Sequence, residues 1–440
     1  MKKVLNGVRV LDFTDALAGP FCTKYLADCG CEVISIEKPG GKMNRSLPFF
    51  HKGYGIEYIF THCGKKSIVI DLKNKKARGL VMELAQKCDV VVENYRPGVM
   101  KSLGLDYHDF REANPSIIMC SISGWGQTGT KSELMAADIS VQAQSGILDL
   151  TGEPDQPPSL VGFPFSDFLA GLNAFGAICA ALYNRLLTGH GDYIDIAMLD
   201  CAMTTLNQAV GLHLFSEGKK SIRRTGRFNS DLSPHGIFKG RDGYLAISAR
   251  TDEGWKKLAG LMGQPELGND ARFVTQDKRV ANNKEVTQTI ETWLETFEQV
   301  SDAALLLQSY RILAAPVVTA GQAIDDPHFK IRDMLTEVEH SVLGRIKVLN
   351  SPLKFTNSRA SVDEPPPEAA GKDTDCILKS LLQMNDSEIR DLKEAGVITG
   401  AEVLISHVVG LTSLTRRQHH SRYCPRKHQR KEHSARCPDF

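Results

Sequence analysis

Val90-Val91-Val92-Glu93-Asn94 is the stretch on which the fold turns. Three consecutive valines leave no polar alternation, so a strand here is buried on both faces. Val8-Arg9-Val10-Leu11-Asp12-Phe13, Val33-Ile34-Ser35-Ile36-Glu37, Ser67-Ile68-Val69-Ile70-Asp71-Leu72 and Ser116 to Ile122 read the same way. Helical spacing lies between them. Phe21, Tyr25, Leu26 and Cys29 share one helix face, and Lys76 to Cys88 turns Leu80, Met82, Leu84 and Ala85 inward. Ala18-Gly19-Pro20 reads as punctuation between the first strand and the first helix. Unalternating strands separated by helices predict a parallel sheet covered on both sides, an open, doubly wound α/β domain.

Working outward, Phe168 to Leu187 is helical and rich in Ala and Gly. Such a helix lets another helix or backbone approach closely. Tyr193 to Met198 returns as a strand. Past residue 204 the texture changes to a glycine turn, Gly240-Arg241-Asp242-Gly243, a strand, and long polar helices at Glu285 to Phe297 and Ala303 to Ser309. This predicts a smaller α+β domain over 204–329, inserted between a first large-domain part (1–203) and a return to it (330–400). Pro365-Pro366-Pro367 is a rigid spacer before a helical piece at Cys376 to Met384.

Charge and cysteine usage exclude several classes. Lys+Arg of 53 against Asp+Glu of 52 gives +1, which is no whole-chain signal for nucleic acid. The balance is uneven. Residues 401–440 hold eight Lys/Arg and three Asp/Glu, a net +5, leaving −4 elsewhere. Their weak apolar pattern predicts a disordered basic tail. Eleven cysteines are scattered among apolar neighbours without paired C-x-x-C spacing, so neither a zinc site nor a disulfide framework is expected. No secretory h-region follows Met1-Lys2-Lys3, and no apolar run of about 18 residues is evident for a membrane span. The expected compartment is cytoplasmic, or the mitochondrial matrix if a transit peptide has been removed.

Gly124-Trp125-Gly126-Gln127-Thr128-Gly129 fits the dinucleotide glycine pattern, but Thr130 to Leu134 is polar and irregular where a helix should open. It reads better as a turn bringing backbone close to a neighbour. No G-x-S-x-G or H-E-x-x-H is present. Asp167, in Phe163-Pro164-Phe165-Ser166-Asp167-Phe168, is an acid at the head of a buried helix. It is either a helix cap or a nucleophilic carboxylate able to attack an activated acyl group. The residues alone leave both readings open.

Leu11-Asp12-Phe13-Thr14, Ala18-Gly19-Pro20, Glu32 to Gly40, Lys65 to Lys73, Val92-Glu93-Asn94-Tyr95-Arg96-Pro97-Gly98, Ser123 to Gly129, Gln142 to Gly146, Ser166-Asp167-Phe168 and Asp326-Pro327-His328 occur in one register. That register resembles the class III CoA-transferases, the family of formyl-CoA and carnitine CoA-transferases, over about residues 5–400. The resemblance implies a Rossmann-like large domain with a smaller α+β domain, and a homodimer of chains threaded as interlocked rings. It implies CoA exchange between an acyl-CoA donor and a carboxylic acid acceptor, through an aspartyl anhydride and an aspartyl-CoA thioester on Asp167. Coenzyme A and acyl-CoA are then substrates, with no permanently bound cofactor, no metal, and no nucleic-acid or membrane partner. By the same resemblance Ala16, Leu17 and Ala18 lie near the thioester end, and Lys38, Leu72 and Lys73 at the nucleotide end. Asn94, Pro97, Gly98, Met100 and Lys101 follow the pantetheine and adenine path.

Two departures refine this. Related acyl-CoA racemases place a His before the Asp matched by Asp138, and here that residue is Ala137. One base of a two-base racemase is therefore missing, which favours transfer over epimerisation. Ala137 also leaves the acceptor pocket wider or less polar. The glycine-rich flap of formyl-CoA transferases is replaced by Asp252-Glu253-Gly254-Trp255, which argues against oxalate–formate exchange. Arg223, Arg224, Arg227 and Arg250 are the cations this reading offers for a second carboxylate on a dicarboxylic substrate.

Overall fold

The computed structural model describes residues 1–401; the expectation for the basic tail lies outside them. Six parallel strands form the central sheet: β1 (Arg9–Asp12), β2 (Glu32–Glu37), β3 (Lys65–Ile70), β4 (Val90–Glu93), β5 (Ile118–Ser123) and β6 (Tyr193–Ala197). Their order is β3-β2-β1-β4-β5-β6, and Ile398–Thr399 adds an antiparallel edge beside β3. Both faces are apolar, as the valine run required. Val90 and Val92 join Val10, Val33 and Ile118 in one core, while Val91 joins Leu11, Ile34 and Ile68 in the other.

Helix α1 (Ala18–Asp28) covers the first face, packed on α6 (Phe165–Thr188). Between them in sequence lie α2 (Ile56–His62), α3 (Ala77–Ala85), α4 (Tyr107–Ala113) and α5 (Asp138–Ser145). Helices α3 and α4 cover the second face. Ala18-Gly19-Pro20 is not punctuation but the first turn of α1. Proline fits there because a helix's first N–H groups have no partner inside the helix.

Gly171 explains how α1 and α6 come together. A Cβ on it would stand 2.6 Å from the Ala18 carbonyl oxygen and 3.3 Å from the Cys22 nitrogen. The Ala/Gly composition of α6 therefore serves close backbone approach, as expected. The expectation that no segment could span a membrane needs correction. Helix α6 has 24 residues with a mean hydropathy of 1.5 over its most apolar window, long and apolar enough by length and composition. Small residues kept its apolar character from standing out, and its inner stripe of Ala170, Ala174, Ile178 and Leu182 is packed in the core.

A three-stranded antiparallel sheet, His235–Lys239, Tyr244–Ser248 and Leu313–Pro316, has its own core around Trp255, Ile290 and Leu307. A hairpin, Leu335–His340 with Gly344–Leu349, follows. The chain then closes on its own beginning: Arg359 bridges Lys3, and Ile398 pairs with Ile70. Helix Thr374–Leu382 supplies Ile377 and Leu378 to the second-face core.

Candidate active site

In an open parallel sheet, ligands bind outside the carboxyl ends of the strands, where neighbouring connections leave for opposite faces. Here that point lies between β1 and β4. The chain leaving β1 enters α1 on one face, while the chain leaving β4 runs to α4 on the other. The two loops are tied together at the crevice. Asp15 N–H donates to Asn94 Oδ1 at 2.8 Å, and Asn94 Nδ2 donates to the Asp15 carbonyl at 2.8 Å.

The β1 loop is built with care. Asp12 at its base is buried, which alone would raise its carboxyl; Lys42 and Lys65 outweigh this and hold it at about 2. Asp15 Oδ1 accepts Ala16 N–H at 2.8 Å and Met43 N–H at 2.9 Å. Asn44 Nδ2 donates to the Ala16 carbonyl at 3.3 Å. These bonds hold Ala16 at φ +58°, a left-handed conformation that costs a non-glycine residue about 1–2 kcal/mol. Leu17 then precedes the first helical residue, Ala18.

Asp167 stands opposite Ala18. It does not cap its own helix: Pro164 occupies the N-cap position and offers no side-chain bond, and Asp167 is the third residue of the first turn. The Ala18 backbone N–H instead faces its carboxyl and draws its pKa down, so the amino ends of two helices meet at one acid. Burial, then the neighbouring Asp138 carboxylate, and to a lesser degree Glu57, raise Asp167 to about 7, against the pull of the Ala18 N–H. Asp138 is fixed in place. Its Oδ1 accepts Ser166 N–H at 2.8 Å and its Oδ2 accepts Gln142 Nε2 at 2.6 Å.

These groups line a cleft of about 300 Å³ bordered also by Ala16, Ala18, Asn94, Pro97 and Ala137. Arg96 separates it from a second cavity of about 240 Å³, lined by Gly98, Met100 and Lys101. Buried Glu93 faces that second cavity and is pushed to about 7 by burial, despite accepting Tyr95 N–H at 2.8 Å. Lys38 and Lys73 are exposed and Leu72 is half-buried, just past β2 and β3 on the same sheet edge; neither cavity reaches them. Leu17 also stays outside the cleft wall. A larger cavity, about 490 Å³, lies at the opposite sheet edge around Met1 to Lys3 and Glu32. It contains neither Asp167 nor Asp138, so volume does not locate the site.

The glycine run after β5 is a turn, as read. No helix opens at Gly129; the next helix is α5. Gly124 is required by contact, since a Cβ there would fall 2.0 Å from that of Ala136. The arginines proposed for a second carboxylate are elsewhere. Arg223 and Arg224 pair with Asp149, at 2.8 and 3.5 Å, and Arg227 pairs with Glu291 at 2.6 Å. Neither these three nor Arg250 borders the cleft. Arg96 does, and the sequence reading passed over it although it stands inside a quoted motif. Among the described residues no cluster of His, Cys, Asp or Glu is arranged to hold a metal ion.

The family profile described as CoA-transferase family III matches residues 5–374. The chain belongs to this family. As a family III CoA-transferase, it moves CoA between an acyl-CoA and a carboxylic acid. It is 34% identical to human succinyl-CoA:glutarate CoA-transferase over 398 residues, 90% of each chain. It is 35% identical over 407 residues to succinyl-CoA:mesaconate CoA-transferase of Haloarcula hispanica, covering 90% of this chain and 97% of that one. The crystal structure of a CAIB/BAIF family protein from Brucella suis superposes with a TM-score of 0.79 at 32% identity, covering 87% of the transferase described here and all of that chain.

Proposed function

We propose that Asp167 is the nucleophile of this transferase. Its carboxylate attacks the donor thioester carbonyl, the C–S bond breaks, and CoA leaves as thiolate, giving a mixed anhydride. The thiolate then attacks the Asp167 carbonyl, releasing the donor acid and forming an aspartyl-CoA thioester. The acceptor carboxylate attacks that thioester, expelling the thiolate and forming a second anhydride. The thiolate finally attacks the acceptor's acyl carbon and frees Asp167. One observation carries this reading: a half-buried carboxyl, poised near neutrality, faces the amino end of α1 inside the switch-point cleft. The low-dielectric setting disfavours a resting charge, and transfer into an anhydride removes it. Oriented N–H groups at a helix start suit the negative charge that develops on the carbonyl oxygen.

CoA in this reading lies along the sheet edge. Its thioester end is near Ala16 to Ala18, and the path continues past Asn94 and the Pro97-Gly98 turn to Met100 and Lys101. Lys38 and Lys73 meet the phosphates, with Leu72 beside them. The active form is a homodimer. Leu186 on α6 is 81% exposed and Phe215 is 92% exposed, and the helix Asn207–Phe215 buries none of its residues, so these surfaces await a partner. Arg359 bridging Lys3 and Ile398 pairing with Ile70 bring residues 359–399 back onto the first part of the chain, which makes each subunit a ring, the form that threading two chains requires. Nine described cysteines, all free, suit a reducing compartment, the cytoplasm or mitochondrial matrix.

Incubation with succinyl-CoA and trapping with hydroxylamine or borohydride tests the mechanism. Mass spectrometry is expected to find the adduct on the peptide carrying Asp167, and Asp167→Asn to abolish both adduct and transfer. Turnover by the wild type with Asp167 unmodified would overturn it.

A further inference from the structure

The cleft that holds Asp167 is bordered by two acids, Asp138 and Asp167, and by a single cation, Arg96, among the described residues. An incoming acid is itself an anion, so the fixed Asp138 carboxylate repels it unless a positive charge compensates. The Arg96 guanidinium has no ion-pair or hydrogen-bond partner among the described residues, and its side chain is exposed. The backbone presenting it is stiff. Arg96 precedes Pro97 and left-handed Gly98 at φ +86°, and its carbonyl accepts Val99 N–H at 3.1 Å.

Position points to what Arg96 binds. Arg96 and Asp167 border one cleft, and no ion pair joins them among the described residues. The lining they share includes Ala16, Ala137 and Met43, which suit methylene groups, beside the polar Asn94, Ser123 and Ser132. We infer that Arg96 is the subsite for the distal carboxylate of a short dicarboxylic acid, whose other carboxyl reacts at Asp167. The inference rests on the assignment of Asp167 as the reacting group. A planar, permanently charged fork matches a carboxylate through two parallel bonds. Butyrate, which keeps glutarate's three-carbon stem and lacks its second carboxylate, leaves that fork bare.

The phosphates of CoA are the other anions that could reach Arg96, and the test separates them. Affinities for glutarate and for butyrate are measured by calorimetry on CoA-saturated wild type, Arg96→Gln and Arg96→Lys, with CoA affinity measured on the free proteins. The wild type is expected to prefer glutarate. Arg96→Gln should weaken glutarate by roughly 10- to 100-fold, the loss of a charge-assisted pair, and leave butyrate and CoA unchanged. Arg96→Lys should regain part of the loss. With succinyl-CoA as donor, the same selectivity should appear as a rise in KM for glutarate with little change in kcat. Equal weakening of both acids, loss of CoA affinity with the acids unaffected, or a wild type without preference overturns the subsite. Failure of the Asp167 mechanism shows separately, as an unmodified Asp167 in the trapping experiment, while the calorimetric comparison still reports on Arg96.

Discussion

Asp167 links burial to rate. A carboxyl raised to about 7 is protonated below that pH and is then no nucleophile. The acylation rate, followed as CoA release in a single turnover, should climb about tenfold per pH unit below 7 and level off above about 8. Asp138 contributes a like-charge push to that value. Asp138→Asn keeps an oxygen for Ser166 N–H but removes the charge, so the midpoint of the pH profile should move to lower pH. Stability runs in the opposite direction to rate. The ordinary carboxyl value is 3.8, so between there and about 7 the folded chain holds a proton that the unfolded chain has released. This group's contribution therefore declines as pH rises through that window. Asp167→Asn should be unchanged in stability near pH 4 and more stable than wild type at pH 8, as read from denaturant melts. The side chain is half-buried, so solvent screening keeps the effect modest.

At the scale of elements, the contact between α1 and α6 sets the site, because it delivers Ala18 N–H to Asp167. Gly171, one turn beyond Asp167, permits that contact. Gly171→Val should lower stability by about 1–3 kcal/mol through overpacking and should slow acylation, since the helices must separate. Gly79→Ala in α3 is the control: nothing lies within 4 Å of the added Cβ. It should raise stability by about 0.4–1 kcal/mol with activity intact. The strands were legible because Val90, Val91 and Val92 can be accommodated only between two apolar layers. The start of α1 was not, since Pro20 signals both a break and a first turn, and only the surrounding bonds distinguish them. Asp167 was visible as an acid out of place. Its juxtaposition with the Ala18 N–H was not, because the two residues lie some 150 positions apart. Arg96 was hidden for a related reason. Freedom from an ion pair is a property of the folded neighbourhood, and by sequence alone Arg223 and Arg227 were equally good candidates.

For the whole molecule, the question is how far one chain is self-sufficient. Helix Asn207–Phe215 has no buried residue and ends in a Phe that is 92% exposed, while the outer face of α6 exposes Leu172, Leu186 and Leu187. Apolar surface of this kind is stabilised by burial against a partner at about 25 cal/mol per Å². Light scattering should therefore report twice the 48.4 kDa chain mass. Interlocked rings make a stricter demand than ordinary association. Two rings held only by a surface exchange subunits on dilution, whereas two threaded rings separate only when a ring opens. In the proposed dimer, opening means breaking the pairing of Ile398 with Ile70, the bridge between Lys3 and Arg359, and the packing of helix Thr374–Leu382 in the second-face core. Tagged and untagged dimers mixed under native conditions should thus yield no hybrid over days. Hybrids should appear after refolding from denaturant. Rapid native exchange would leave the dimer in place but remove the threading.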